Sequence, residues 1–504
     1  MSFAPYAAIW VLLVAAAGIA LFAVRRPQLA MAASVTVSFL TLILWYLFRP
    51  EAAAPSLSFA GRQWAIGDAA WHLTGTVLLV SLTAILLAAV GTGHPRLSLP
   101  YALALGLPAA VLPVVWAADD RTRVMGVALF AAAWMFSQLP GNEPASNTPR
   151  FDWRSGGLLL AALFPLWAAY TVPGGRVFLS AIAAVLLIAS GVAATSHTRG
   201  PTLQLLPAVA AASVLIGALG VGSPSMLGVV AGTIAGLLAL LLGLAWAWEH
   251  PTALPRALAL GLGGVLLVAA VWAGQSALLA ATRLAVFAPV LVGLASAGRP
   301  PGTSGAPVPA AAADGMRRQL SPLLLGLLVA FLAIAGLPLT VGFSTLAPIY
   351  DSWSGPAGWV LLLVTVALLT MWLATLYQVG RTTARAATVD RAVWIRSLAL
   401  IPPAVGLIAL EFGGLAGSWV TWAAIAVPAA AGIVLGHFAP DMGGLGGLLR
   451  EAAALPQPLA AIGTRMRQAR KWVAGALGDA LAILEGENGL IWLLGLLLLI
   501  IWIT

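Results

Sequence analysis

Residues 254–297 read LPRALALGLGGVLLVAAVWAGQSALLAATRLAVFAPVLVGLASA. Their only charges are Arg256 and Arg283, and the turn around Gly274 divides the stretch into two apolar pieces, 256–274 and 276–297. A helix rises 1.5 Å per residue, so each piece is long enough to cross a hydrocarbon core of ~30 Å. Working outward in both directions, runs of the same kind lie at 5–24, 28–48, 72–91, 98–118, 122–139, 156–172, 176–196, 203–222, 224–248, 320–345, 355–380, 392–414, 415–437 and 488–503, sixteen spans in all. The chain is therefore expected to be an all-α polytopic membrane protein of about sixteen transmembrane helices. The first run, Tyr6 to Val24, has no basic region before it and no cleavage site after it, so it reads as a retained helix.

Composition agrees and excludes several function classes. The 504 residues are 61% hydrophobic and 8% charged, with a mean hydropathy of +1.00; a soluble domain is about one quarter charged. There is no room for a soluble catalytic domain. The net charge of +9 comes from basic residues scattered between apolar runs, without the clustered basic and aromatic face that nucleic-acid binding needs. With no cysteine, disulfides, thiolate chemistry and cysteine-ligated clusters are excluded. The five histidines lack metal-site spacing, and no phosphate loop, nucleophile or acid/base pair is present, so no metal or other cofactor is expected. Gly443-Gly444-Leu445-Gly446-Gly447 has no strand or Lys-Ser/Thr context and reads as a hinge.

Lys and Arg positions give an orientation. With the N-terminus outside, nineteen basic residues fall on the inner side and only Arg49, Arg62, Arg121, Arg123 and Arg176 on the outer, while Arg283 lies within a helix. This is the positive-inside pattern of a bacterial plasma-membrane protein. Asp119 and Asp120 then fall at an outer loop end, and Glu249 and His250 at an inner one, where solvation accounts for them. Pro113, Pro165, Pro207, Pro289, Pro338 and the Pro402-Pro403 pair lie inside apolar runs and read as tolerated kinks.

Two stretches are not spans. Residues 299–319, rich in proline and small residues, read as a cytoplasmic linker between a larger bundle, 1–298, and a smaller one, 320–445. Within 446–486, apolar Leu459, Ile462, Met466, Trp472 and Leu477 alternate with Arg465, Arg467, Arg470 and Lys471, the pattern of an amphipathic helix on the inner membrane surface leading to a terminal span at 487–504.

Motifs within these runs resemble a family. Arg317-Arg318-Gln319-Leu320-Ser321-Pro322, then a long apolar run, then Ala335-Gly336-Leu337-Pro338-Leu339-Thr340-Val341-Gly342-Phe343-Ser344, is similar to the "AGLPP…GF" broken helix of the antiporter-like membrane subunits. Respiratory complex I, membrane-bound hydrogenases and Mrp-type cation/proton antiporters share these subunits. Further matches follow the family's order: a hairpin with Trp64 to Asp68 before the third span; Gly200-Pro201-Thr202 like the "GPTP" break; Leu254-Pro255-Arg256-Ala257-Leu258-Ala259 like "LKRLLAY"; Thr282-Arg283-Leu284-Ala285-Val286-Phe287 like "FKALLF"; and Tyr377 with Arg381 like "YYLR". The resemblance implies a 14-helix core with broken helices, followed by a lateral amphipathic helix and one last span.

The same resemblance implies a row of mid-membrane ionisable residues relaying protons, and here the sequence departs from it. The fifth-helix glutamate position holds Met135, the eighth-helix histidine position falls at Ala210 or Ala211, and the charge expected after the "GF" is Leu346. No charge follows Arg176 in the seventh helix, and the chain's single lysine, Lys471, is in the amphipathic segment. Only Arg283 survives, in place of lysine, and arginine rarely releases its proton. Candidates for any remaining path are Arg283, Glu411, Glu249 and His250, with His437 beyond them; Glu411 is the one carboxylate placed well within a span, and intramembrane acids are functional by default. The expected function is a divergent antiporter-like subunit of a respiratory or hydrogenase-type complex, mainly structural, with membrane lipid and other membrane subunits as partners. The alternatives are an active proton or cation translocator using Arg283 and Glu411, or an independent small-solute transporter with its site at the broken helices.

Overall fold

The computed structural model describes residues 3–23, 26–50, 54–59, 61–90, 98–137, 153–172, 175–194, 200–220, 226–296, 322–353, 355–386, 397–408 and 417–438. All belong to one compact unit, Met1–Phe438. The linker, the amphipathic segment, the terminal span and Glu411 lie outside the described residues.

The elements run in order as α1 (Ala4–Phe22), α2 (Pro27–Leu47), a hairpin of β1 (Ser56–Phe59) and β2 (Arg62–Ala65), α3 (Asp68–Val90), α4 (Leu99–Val115), α5 (Asp120–Phe136), α6 (Trp153–Thr171), α7 (Arg176–Ala193), α8 (Gly200–Leu203), α9 (Leu206–Leu219), α10 (Met226–Glu249), α11 (Leu254–Trp272), α12 (Gly274–Ser296), α13 (Pro322–Ile334), α14 (Val341–Ser352), α15 (Pro356–Ala386), α16 (Ile401–Gly406) and α17 (Trp419–Phe438). Among the described residues, nine helices are long and apolar enough to cross a membrane and α4, α9 and α13 are shorter apolar helices. Proline sits in the first turn of α1, α2, α4, α9 and α11, where no amide donor is missed.

Helix α12 is the axis. Every residue from Ala277 to Ala295 is buried, and α12 packs against α3, α9, α11, α13, α14 and α16. Lipid gives apolar helices no hydrophobic reason to associate, so close approach of backbones has to supply the attraction. Small residues provide it. Gly232 and Gly236 of α10 face α11 so closely that a methyl group on Gly264 would stand 2.2 Å from the Gly236 carbonyl oxygen. Gly432 and Gly436 bring α17 against Leu373, Ala374 and Tyr377 of α15 in the same way.

Prolines inside helices have neighbours that complete them. Pro108 and Pro113 of α4 remove the amides that would bond the carbonyls of Ala104 and Ala109. Those two oxygens instead accept from the Ser81 hydroxyl of α3 at 2.6 Å and the Trp10 indole of α1 at 3.0 Å. At Pro113 the backbone also comes close to Gly126 of α5. Pro207 and Pro338 differ: the first opens α9 after a break, and the second lies in the interruption between α13 and α14.

That interruption divides the expected span 320–345. Gly336 ends α13 with φ +75°; the Leu337 amide donates back to the Leu332 carbonyl and the Gly336 amide to that of Ala333, the bonding of a Schellman stop. Leu339 has φ +67°, the one positive φ of a non-glycine among the described residues. The chain then re-enters a helix at Val341, whose amide donates to the Leu407 carbonyl beyond α16, with a bridge between Thr340 and Ile408. The described part of the expected span 392–414 is accordingly the short α16, opened by Pro402 and Pro403, and a second irregular segment beside the first. Near Gly200-Pro201, α8 stops after Leu203 and the break falls at Gln204 and Leu205, a turn later than the motif.

Candidate functional site

A cluster of polar groups lies at the hairpin end. Trp45 of α2 and Trp71 of α3 stack with ring centroids 4.4 Å apart, and each indole N–H donates to the other's backbone carbonyl, at 2.8 and 3.0 Å. This pair pins α2 to α3 and forms a floor. Arg49 lies over the Trp71 ring at 4.7 Å and reaches the Asp68 carboxylate at 3.6 Å. Asp68, four residues before His72 on the same helical face, approaches His72 Nε2 at 3.5 Å. On its other side, His72 Nδ1 is 3.2 Å from Nη2 of Arg283. Exposure falls along this file from 64% for the Asp68 side chain to 4% for His72 and 6% for Arg283. A line of polar groups thus leads from the rim to the enclosed helix α12.

A second cluster lies at the same end. Asp119 caps α5: its carboxylate accepts from the Thr122 amide at 2.8 Å and hydroxyl at 2.7 Å, and from the Gln63 amide of the hairpin at 3.2 Å. Burial pushes its carboxyl up, but the bonds from Thr122 and Gln63 and the charge of Arg62 outweigh this and hold it below its ordinary value. Asp120 pairs with Arg123 at 2.8 Å and with Arg176 of α7 at 2.5 Å. Arg123 is buried, donates to the Ala117 carbonyl at 3.0 Å, and occupies the space left by Gly217 of α9. The expectation that solvation accounts for Asp119 and Asp120 at an outer loop end is corrected for Asp120: it begins α5, is half-buried, and pairs with the buried Arg123 and with Arg176.

Of the residues singled out from the sequence, Arg283 lies at the inner end of the polar file. Glu249 and His250 are exposed at the end of α10, which packs on α7, α11 and α15, and nothing gathers them toward Arg283. At the opposite end from the hairpin, Arg381 donates to the last carbonyl groups of α17 at His437, 2.8 Å, and Gly436, 3.5 Å, favourable at a helix C-terminus. Gly336, Pro338, Gly342 and Phe343 build the α13–α14 interruption, and Gly200 and Pro201 begin α8. A methyl group on Gly342 would sit 1.6 Å from the Ala333 carbonyl oxygen, so the "GF" glycine is a steric requirement of the break. Phe343 packs on Trp422 of α17 at 5.4 Å. Sequence reading missed His72. The available signal was Asp68-x-x-x-His72, an acid and a histidine one helical turn apart at the mouth of an apolar run.

Interrupted helices around a buried, charge-bearing axis, with a hairpin at one end, decide the architecture. The fold is one found in chains of multisubunit membrane complexes. It superposes on a chain of the Mrp complex from Dietzia sp. DQ12-45-1b with a TM-score of 0.67 at 15% identity, over 98% of this chain and 62% of that one. This chain therefore spans under two thirds of the length of that Mrp-complex chain. It is also similar to a chain of the membrane-bound sulfane sulfur reductase, an archaeal respiratory membrane complex, with a TM-score of 0.51 at 14% identity, over 89% of this chain and 77% of that one. No protein-family model matches the sequence, and neither does any curated protein. Within this fold, no group of three His, Asp or Glu among the described residues is placed to hold a metal ion.

Proposed function

We propose that this chain is a divergent antiporter-like subunit that assembles with other membrane subunits into a respiratory or hydrogenase-type complex and serves there mainly as a scaffold. The observation that carries the reading is the character of the places where the resemblance expects relay charges. Met135, Ala210, Ala211 and Leu346 are all buried and apolar. An ionisable group in low dielectric needs a partner or water to persist, and these side chains offer neither. Charge survives in the described interior as Arg283, bound to His72, and as the Asp120–Arg123 pair near the hairpin.

The same proposal places the protein in a bacterial plasma membrane with the N-terminus and hairpin outside. Bundles 1–298 and 320–445 are joined by the cytoplasmic linker 299–319, and 446–486 lies on the inner surface before the last span. Partners are lipid and neighbouring subunits, and nucleic acid is not among them. The test is deletion of the gene for this chain followed by native purification of the complex. Failed assembly in the deletion, with proton stoichiometry retained when Arg283 is replaced in the intact complex, supports the scaffold; normal assembly without the chain overturns it.

Active translocation has one observation in its favour, the file from Asp68 through His72 to Arg283. On that reading Glu411→Gln abolishes coupled transport without lowering the amount of protein in the membrane, and unchanged transport removes it.

A further inference from the structure

The contact between Arg283 and His72 restricts the chemistry of the imidazole. A guanidinium has N–H donors and no acceptor. At 3.2 Å from Arg283 Nη2, His72 Nδ1 must therefore offer its lone pair. The proton of the neutral ring then resides on Nε2, which faces the Asp68 carboxylate at 3.5 Å. One lone pair has two claimants, the guanidinium and an incoming proton, and it can serve only one at a time.

The surroundings sharpen this competition. Helix α3 packs against α2, α4, α8, α9, α12 and α16. From α12 the ionisable group is Arg283; beyond the end of α2 stands Arg49, itself engaged with Asp68; Tyr46 near that end is exposed. Tyr101 of α4 lies toward the opposite end of the bundle, and the described residues of α8, α9 and α16 include no ionisable side chain. Among the described residues, the carboxylate nearest the ring is thus on the Nε2 side, at the rim, while a cation closes the Nδ1 side.

We propose that His72 is a proton-binding site opening toward the hairpin end, and that uptake of a proton at Nδ1 displaces the Arg283 guanidinium. A hydronium ion that enters from the rim as the guanidinium moves aside gives its proton to Nδ1 and leaves as water; the ring becomes an imidazolium with N–H groups on both nitrogens, and Arg283 keeps all of its protons. The cation formed is held by the Asp68 carboxylate and opposed by Arg283, so a binding event near the surface repositions a charge on the most enclosed helix of the bundle. This goes beyond the scaffold reading and is independent of it, because it concerns the isolated chain, whereas the scaffold is tested by assembly.

The experiment is solid-state NMR of the full chain in lipid nanodiscs, labelled with ¹⁵N at histidine and arginine and followed as the pH is lowered, with His72 assigned by His72→Gln. The expected result has His72 as the Nε2–H tautomer at neutral pH, and the Arg283 side-chain resonances shifting in the same step in which Nδ1 gains its proton. In His72→Gln the side-chain carbonyl accepts from Arg283 but does not titrate, so the Arg283 resonances become independent of pH. An Nδ1–H tautomer at neutral pH, or Arg283 signals that ignore His72 protonation, overturns the proposal. Arg283 shifts that persist unchanged in His72→Gln do the same. If that variant fails to fold, the tautomer and the coupled shift in the unmodified chain, with His72 then assigned by through-space contact to Trp71, decide the matter.

Discussion

Asp119 engages both carboxylate oxygens, one with the Thr122 amide and the other with the Thr122 hydroxyl and the Gln63 amide, so a single side chain starts α5 and tethers the hairpin to it. Its carboxyl titrates below the ordinary range in the folded protein. The stabilisation is therefore complete above the unfolded-state value and is lost as the pH falls through the depressed folded value. In detergent, thermal stability should begin to fall below about pH 5 and go on falling through the depressed folded value, and Asp119→Asn, which preserves an acceptor for the Thr122 amide, should reduce that acid-side loss. Asp119→Ala should cost about 1 kcal/mol at neutral pH as well. An identical acid profile in all three proteins would count against the assignment. At the α13–α14 break, Gly342→Ala should cost more than 2 kcal/mol, because its Cβ would collide with the Ala333 carbonyl. Leu339→Gly should be tolerated or slightly stabilising, since it removes a left-handed strain of about 1 kcal/mol; thermal unfolding of the two variants, moving in opposite directions, checks both. At this scale the sequence was only partly legible. Arg283 and Gly342 stand out because a charge and a motif glycine are conspicuous in an apolar run, whereas His72 matters only through a partner 211 positions away, a separation that no local pattern encodes.

Among the elements, α4 shows how the bundle accommodates helix breakers. Its two prolines leave two carbonyl groups unbonded, and α1 and α3 supply a donor to each. Trp10→Phe keeps the ring but removes the N–H, so the Ala109 oxygen loses its donor at an expected cost of about 1–3 kcal/mol. Trp10→His, placing a ring N–H in the same region, should recover part of the loss in a thermal melt; equal stability of Trp10→Phe and the native chain would refute the role. Span existence was readable from length and apolarity alone, since a lipid-crossing helix has no alternative way to satisfy its backbone. Span continuity was not. The runs 203–222, 320–345 and 392–414 look uniform by hydropathy, yet α8, the α13–α14 break and α16 interrupt them, because carbonyl and amide groups from neighbouring breaks, such as Leu407 and Val341, complete one another. That compensation is tertiary, and only the Gly-Leu-Pro and Gly-Pro-Thr motifs announced the breaks.

For the whole molecule, orientation is the property that most directly follows from charge and can be measured. The chain contains no cysteine, so single reporters need no background removal. Leu57 of the hairpin and His250 after α10 are both exposed. In intact cells, Leu57→Cys should react with a membrane-impermeant maleimide and His250→Cys only after permeabilisation; the reverse pattern would invert the proposed topology. Both arms keep the same fold, so the result bears on direction alone.

The burial of α12 also sets a problem for synthesis. When α12 leaves the ribosome, α13, α14 and α16, which wall it in, do not yet exist, so it first meets either the translocon or bare lipid with Arg283 uncovered. A translocon-insertion cost of about 2.5–3.5 kcal/mol for an arginine at a helix centre would delay its lateral release. Helix α3 has by then already been made, and its histidine is waiting as a receptor for the guanidinium. The early pairing of two helices far apart in the chain would thus act as a holding step, keeping the future axis of the bundle beside its first half until the remaining helices close around it.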